Sequence, residues 1–132
     1  MEKRHYTVVA GAVVGPQGVL CARRGSTAFA YTSLKYEFPG GKVEPGETPR
    51  EALARELREE LDLEVDVGPL LVTVEHEYPD FGITLSVYRC TLRSAVIHLK
   101  EHADYVWQRP DRLAELDWAA ADRRAVAAIK FC

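Results

Sequence analysis

The sequence is short of several things, and each shortage excludes something. Cysteine occurs three times in 132 residues, at Cys21, Cys90 and Cys132, never as a C-x-x-C pair. An odd, unclustered set implies neither a disulfide framework nor a structural zinc site, and it fits a reducing, cytoplasmic setting. An excess of one charge is also missing: 17 Lys and Arg face 20 Asp and Glu, a formal net charge of −3. Binding a nucleic-acid polymer needs a basic stripe that displaces counterions, so no such partner is expected. Long apolar runs are absent: "TVVAGAVVG", after the charged start "MEKRHY", is too short to span a bilayer and has no signal-peptide form. Neither a membrane nor secretion is expected. Linkers, repeats and low-complexity tracts are lacking too, so residues 1–132 read as one domain. His5, His76, His98 and His102 show no metal-ligand spacing.

What is present reads as a mixed fold. "YTVVAGAVV" is a β-branched buried strand, and Gly15, Pro16 and Gly18 turn it into a second strand, "VLCARR". The loop "GSTAFAYTS" leads to a short extended piece, "KYEF", which "PGG" breaks. Thr48, Pro49 and Glu51 form a capping-box signature for a helix that runs to about Leu61. "LLVTVEHEY" and "ITLSVYRCTL" are a strand pair, "AVIHL" and "DYVWQ" are shorter strand candidates, and Asp117 is placed to cap a last helix. Strands before and after a central helix indicate a layered α+β domain rather than a doubly wound parallel sheet.

The central helix poses a physical problem. With Leu53 at zero, Leu57 and Leu61 fall at about 40° and about 80°, an apolar stripe facing the core. Glu60, Glu56 and Glu59 fall at about −20°, about −60° and about −120°, beside that stripe, with Arg55, Arg58 and Glu51 on the opposite, solvent side. Crowded carboxylates repel, and partial burial worsens the repulsion. Hard divalent cations such as Mg²⁺ or Mn²⁺ remove the conflict, taking oxygen ligands shared with substrate phosphates. Glu-rich helices are also common as plain solvated faces, so the neighbouring residues matter. Gly40 and Gly41 allow close backbone approach to a cation, and Glu47, eight residues before Arg55, is placed to pair with it and so hold Glu56.

These residues resemble a known family. The Nudix box is G-x5-E-x7-R-E-U-x-E-E-x-G-U, with U a bulky aliphatic residue, and Gly41, Glu47, Arg55, Glu56, Leu57, Glu59, Glu60 and Leu63 match it at the required spacing. One position departs: Asp62 replaces the glycine that ends the helix with positive φ, a conformation Asp tolerates better than most residues. "EFPGGKVEPGETP", the upstream "ARR" and the downstream "YPDFGITL" look like the MutT branch, so the resemblance spans most of the chain. It implies the Nudix fold, a mixed β-sheet sandwiched between α-helices. It also implies the reaction, Mg²⁺-dependent attack of water that splits a nucleoside triphosphate into monophosphate and pyrophosphate.

Site roles follow from that resemblance alone. The implied metal ligands are Glu56, Glu59, Glu60, Glu101 and the carbonyl of Gly40; Mn²⁺ could replace Mg²⁺. The catalytic set is Glu56, Glu59 and Glu101, among which the water-activating base stays open, with Arg55 beside them. Arg24 corresponds to a phosphate-touching arginine, and Arg23 should face away from it. Phe38 and Phe81 are candidates to pack on the base, and Asp122 falls where the family reads it. An ionised Asp only accepts hydrogen bonds, from a cytosine amino group or a guanine edge; it donates only when protonated. A pyrimidine triphosphate of the CTP or dCTP type, or oxidised dGTP, is the expected small-molecule substrate, for a monomer or homodimer. Alternatives are hydrolysis of a nucleoside diphosphate derivative and a non-catalytic nucleotide-binding domain.

Overall fold

Strand β1 (Arg4–Gly15) is central, and its side chains alternate between two buried faces: Val9 and Val13 on one, Ala10 and Ala12 on the other. The structure is a computed structural model, which describes residues 4–26, 31–93, 97–99 and 102–129. Around β1 lie β2 (Gly18–Arg24), β3 (Tyr36–Glu37), β4 (Gly40–Lys42), β5 (Val65–Glu77), β6 (Phe81–Leu92) and β7 (His102–Gln108). The main path of the sheet is β3-β2-β1-β6-β5, with β4 on β1 and β7 on β2. β1 and β6 are parallel, from Arg4 opposite Phe81 to Val14 opposite Thr91, and the other pairings are antiparallel. The sheet is mixed.

Helix α1 (Pro49–Leu61) covers one face, burying Leu53, Leu57 and Leu61 with Val9, Val13, Leu20 and Cys90. Helix α2 (Ala120–Ala128) covers the other, with Ala121 and Ala125 against Val87, Phe38 and Trp118. Helices on both faces of a mixed sheet give the expected α+β sandwich. Burying both sheet faces explains why β1 reads as a near-continuous apolar run. No described helix is long and apolar enough to cross a membrane.

"PGG" breaks the strand as expected: β3 ends at Glu37, and Gly40 and Gly41 open a separate strand, β4, opposite Ala10 and Val9. A Cβ at Gly40 would fall on the Val9 carbonyl, so only glycine allows this pairing. Asp117 does not cap α2, which starts two residues later from Ala119 without a side-chain cap; the Asp117 carboxylate instead accepts from Lys35 Nζ at 2.9 Å. Residues 97–99 form no strand, and a 3₁₀ helix, Pro110–Glu115, precedes α2. Strand β5 begins at Val65, five residues earlier than its apolar run indicates.

Candidate active site

Helix α1 starts on the expected capping box: Thr48 Oγ1 accepts from the Glu51 N–H at 3.2 Å, and Glu51 Oε1 accepts from the Thr48 N–H at 3.0 Å. It ends at Asp62, which takes the left-handed conformation (φ 55°, ψ 30°) and donates its N–H back to Arg58 and Leu57. The Asp62 side chain is used as well, with its Oδ2 lying 2.8 Å from His98 Nδ1. The residue that departs from the box therefore keeps the turn geometry and adds a tie to residue 98.

Arg55 organises the carboxylates. Its Nε and Nη2 donate to the two oxygens of Glu47 at 2.6 and 3.0 Å, a bidentate pair. Nη2 also donates to the Lys42 carbonyl at 3.2 Å, and Nη1 reaches Glu56 Oε1 at 3.0 Å and Glu59 Oε2 at 3.1 Å. The helical wheel places Arg55 among solvent-facing charges, and the structure overturns this: only 21% of its side chain is exposed. A wheel gives the direction of Cβ, whereas the long arginine stem lets the guanidinium end well away from it. The hydrogen bond from Arg55 is the main cause that lowers the Glu47 carboxylate below its ordinary range. Glu56 is packed onto Gly41, where a Cβ would fall on the carboxylate.

Beside this knot lies a cavity of about 220 Å³ lined by Arg24, Gly25, Ser26, Glu37, Gly40, Glu60 and His102. It brings Glu60 of α1, Gly40 of β4 and Arg24 of β2 to one opening. Arg24 Nη2 and Nε donate to Glu37 Oε2 at 3.0 and 3.3 Å, and Glu37 Oε1 accepts from His102 Nε2 at 3.0 Å. Burial alone would raise Glu37, but the His102 hydrogen bond and the Arg24 charge outweigh it and leave the carboxyl below its ordinary value. Arg23, its sequence neighbour, turns away and donates to the Leu34 carbonyl at 3.2 Å.

The remaining predicted residues divide. Phe38 is 2% exposed, its ring 4.8 Å from Trp118, so it is a core ring that offers only its backbone. Its N–H donates to Asp122 Oδ1 at 3.1 Å. Asp122 itself is buried, and desolvation, followed by the negative charge of Glu37, pushes its carboxyl up to about 8. Phe81 is half-buried within a ring cluster, 5.0 Å from Tyr78 and 5.7 Å from Tyr6, with Tyr31 stacked on Tyr78 at 5.2 Å. Glu101 lies outside the described residues. Glu37, His102 and the Tyr6, Tyr31 and Tyr78 rings were not singled out from the sequence as site residues. A charged residue in a two-residue strand just before Pro-Gly-Gly was the available signal for Glu37.

The donor set fits a hard cation. It is all oxygen: the carboxylates of Glu56, Glu59 and Glu60 and the Gly40 backbone. Among the described residues no three acidic, His or Cys side chains close into a protein-only cage.

A helix of spaced carboxylates held by one arginine, set on a mixed sheet between helices, is the arrangement of a hydrolase class, the Nudix hydrolases, whose members generally use divalent metal ions. The chain belongs to the Nudix family: residues 3–129 match the model described as NUDIX domain, and the chain is a Nudix hydrolase. It is 45% identical over 97 residues to an 8-oxo-dGTP diphosphatase of Proteus vulgaris, covering 69% of this chain and 80% of that protein. It is 38% identical over 87 residues to the CTP pyrophosphohydrolase of Escherichia coli, covering 66% and 64%. The solution structure of a Nudix hydrolase named MutT from a methicillin-resistant Staphylococcus aureus superposes with a TM-score of 0.72 at 38% identity, covering 96% of this chain and 95% of that one.

Proposed function

We propose that this chain is a Mg²⁺-dependent nucleoside triphosphate pyrophosphohydrolase that converts a (d)NTP and water to the (d)NMP and pyrophosphate. The observation that carries this reading is the Arg55 knot, which holds Glu56 and Glu59 on one guanidinium nitrogen while Glu60, Gly40 and Arg24 line the adjoining cavity. Glu56, Glu59, Glu60 and the Gly40 carbonyl would hold the metal, with Glu101 as a further ligand. When bound, Mg²⁺ supplies charge neutralisation for the phosphates and a more acidic attacking water. The protein's own groups do the rest. Arg55 fixes the carboxylate positions, Arg24 offers N–H groups to the phosphate chain, and one of Glu56, Glu59 or Glu101 takes the water's proton.

For the base, the named relatives point both to 8-oxo-dGTP and to CTP. Asp122, with its carboxyl near 8, is protonated through much of the neutral range and then donates as well as accepts. That supports recognition of a base edge carrying both kinds of group, near Tyr78, whose hydroxyl accepts from the Ala121 N–H. Pyrophosphate release from CTP, dCTP, 5-methyl-dCTP, dGTP and 8-oxo-dGTP with Mg²⁺ is the direct test. Turnover of at least one is expected, and inactivity on all five by folded protein would reject the reading.

A further inference from the structure

Strand β2 is flanked by the two residues that hold its last side chain. Arg24 is the ladder partner of His102 on β7, and the register shifts between Arg23 and Arg24. On the other side, β3 pairs Ala22 with Glu37. A bulge of this kind bends the strand and re-aims a side chain, often beside an active site.

We propose that Glu37 and His102 are positioning residues for Arg24: His102 anchors Glu37, and Glu37 orients the Arg24 guanidinium to receive substrate phosphate. This rests on the function proposed above and extends it to two residues that carry no role there.

The geometry supports it in three ways. First, both Arg24 donors to Glu37 go to the same oxygen, Oε2, so two of the five guanidinium N–H groups are committed and the other three have no hydrogen-bond partner among the described residues. Arg24 has 48% of its side chain exposed, and without Glu37 this long chain would sample many rotamers. Second, the other Glu37 oxygen is taken by His102, whose side chain is only 5% exposed. A carboxylate only accepts, so Nε2 is the donor and the tautomer is set. Third, His102 Nδ1 is buried without a hydrogen-bond partner among the described residues. An unpartnered buried nitrogen is destabilising, and stability alone would favour an apolar ring there. Among the described residues the one polar contact of this imidazole is the bond to Glu37.

Sign makes the proposal testable. By electrostatics alone, removing the Glu37 charge beside an anion pocket strengthens anion binding; if Glu37 acts by orienting Arg24, the same change weakens it. The experiment is calorimetric titration of inorganic pyrophosphate with Mg²⁺ into the full chain, with melting curves to verify folding. Arg24→Ala and Glu37→Gln should each weaken binding about tenfold, a lost charge-assisted contact. In the Arg24→Ala background, Glu37→Gln should add no further loss. His102→Phe should weaken binding as Glu37→Gln does, and His102→Gln, whose amide nitrogen can stand in for Nε2, should restore most of it. If His102→Phe does not fold, the isosteric Glu37→Gln decides alone. The proposal is overturned if Glu37→Gln binds as well as or better than wild type, if its loss persists undiminished without Arg24, or if Arg24→Ala changes nothing. Wild-type protein that fails to bind pyrophosphate at all would reject the metal-phosphate site as well, a different and recognisable failure.

Discussion

Asp122 shows how far position overrides residue type. An acid at the start of a helix is ordinarily ionised and favoured by the dipole. Here complete enclosure, with Glu37 as a negative neighbour, pushes the carboxyl up to about 8 despite the Phe38 N–H and Arg24 pulling it down. Because the folded value is raised, the folded state holds a proton that the unfolded chain has released. The resulting stabilisation is full below the ordinary carboxylate range and is lost as pH rises through about 8. Asp122→Asn keeps the shape and removes the titration. Melting curves of the two proteins should therefore diverge in favour of the variant as pH rises from about 6 to about 9, and parallel curves would contradict the buried proton. Glu60 lines the cavity with Gly40 and Arg24 and is the proposed metal ligand whose loss is simplest to read. Glu60→Gln should lower kcat on the order of a hundredfold with an unchanged melting temperature, the scale of a lost electrostatic contribution. Retained activity would remove Glu60 from the site.

At the level of elements, α1 acts as a bracket rather than a bare row of acids. Its N-terminus is capped by Thr48 and Glu51, its C-terminus turns on Asp62, and the loop before it is tied down through Glu47 and the Lys42 carbonyl. Arg55 joins loop and helix through a planar fork, and a lysine cannot reproduce five donors in fixed directions. Arg55→Lys should retain the charge and the fold yet lower kcat about tenfold or more, because Glu56 and Glu59 lose their shared anchor. Steady-state kinetics alongside circular dichroism would check this. Full activity would mean that charge alone, without the fork, suffices.

At the level of the whole molecule, the site exists because the two faces of one sheet are covered by different helices. α1 presses Leu53, Leu57 and Leu61 onto one face and so fixes the height of its carboxylates against β4. Leu57 is 1% exposed. Leu57→Ala should cost about 2 to 5 kcal/mol of stability, the usual range for a buried large-to-small change. It should also weaken turnover at temperatures where the protein is still folded, because the helix can then shift on the sheet; chemical denaturation and kinetics on the same preparation test both parts.

The sequence by itself determined the helix and the ties at its two ends. Capping box, apolar stripe, the Glu47–Arg55 tie and the left-handed turn at Asp62 are all local or nearly so, and short-range physics writes them into spacing. The α+β class was legible for the same reason, through periodicity and turn residues. Tertiary structure decided what depends on partners far along the chain. It drew Gly40 and Gly41 into a strand against β1, turned Asp117 from a cap into a partner of Lys35, and sent Phe38 into the core. It also enclosed Asp122 until it kept its proton and set Glu37 between Arg24 and a histidine 65 residues away. Hydrogen bonding and burial of this kind belong to pairs of distant residues, and no window of sequence contains them.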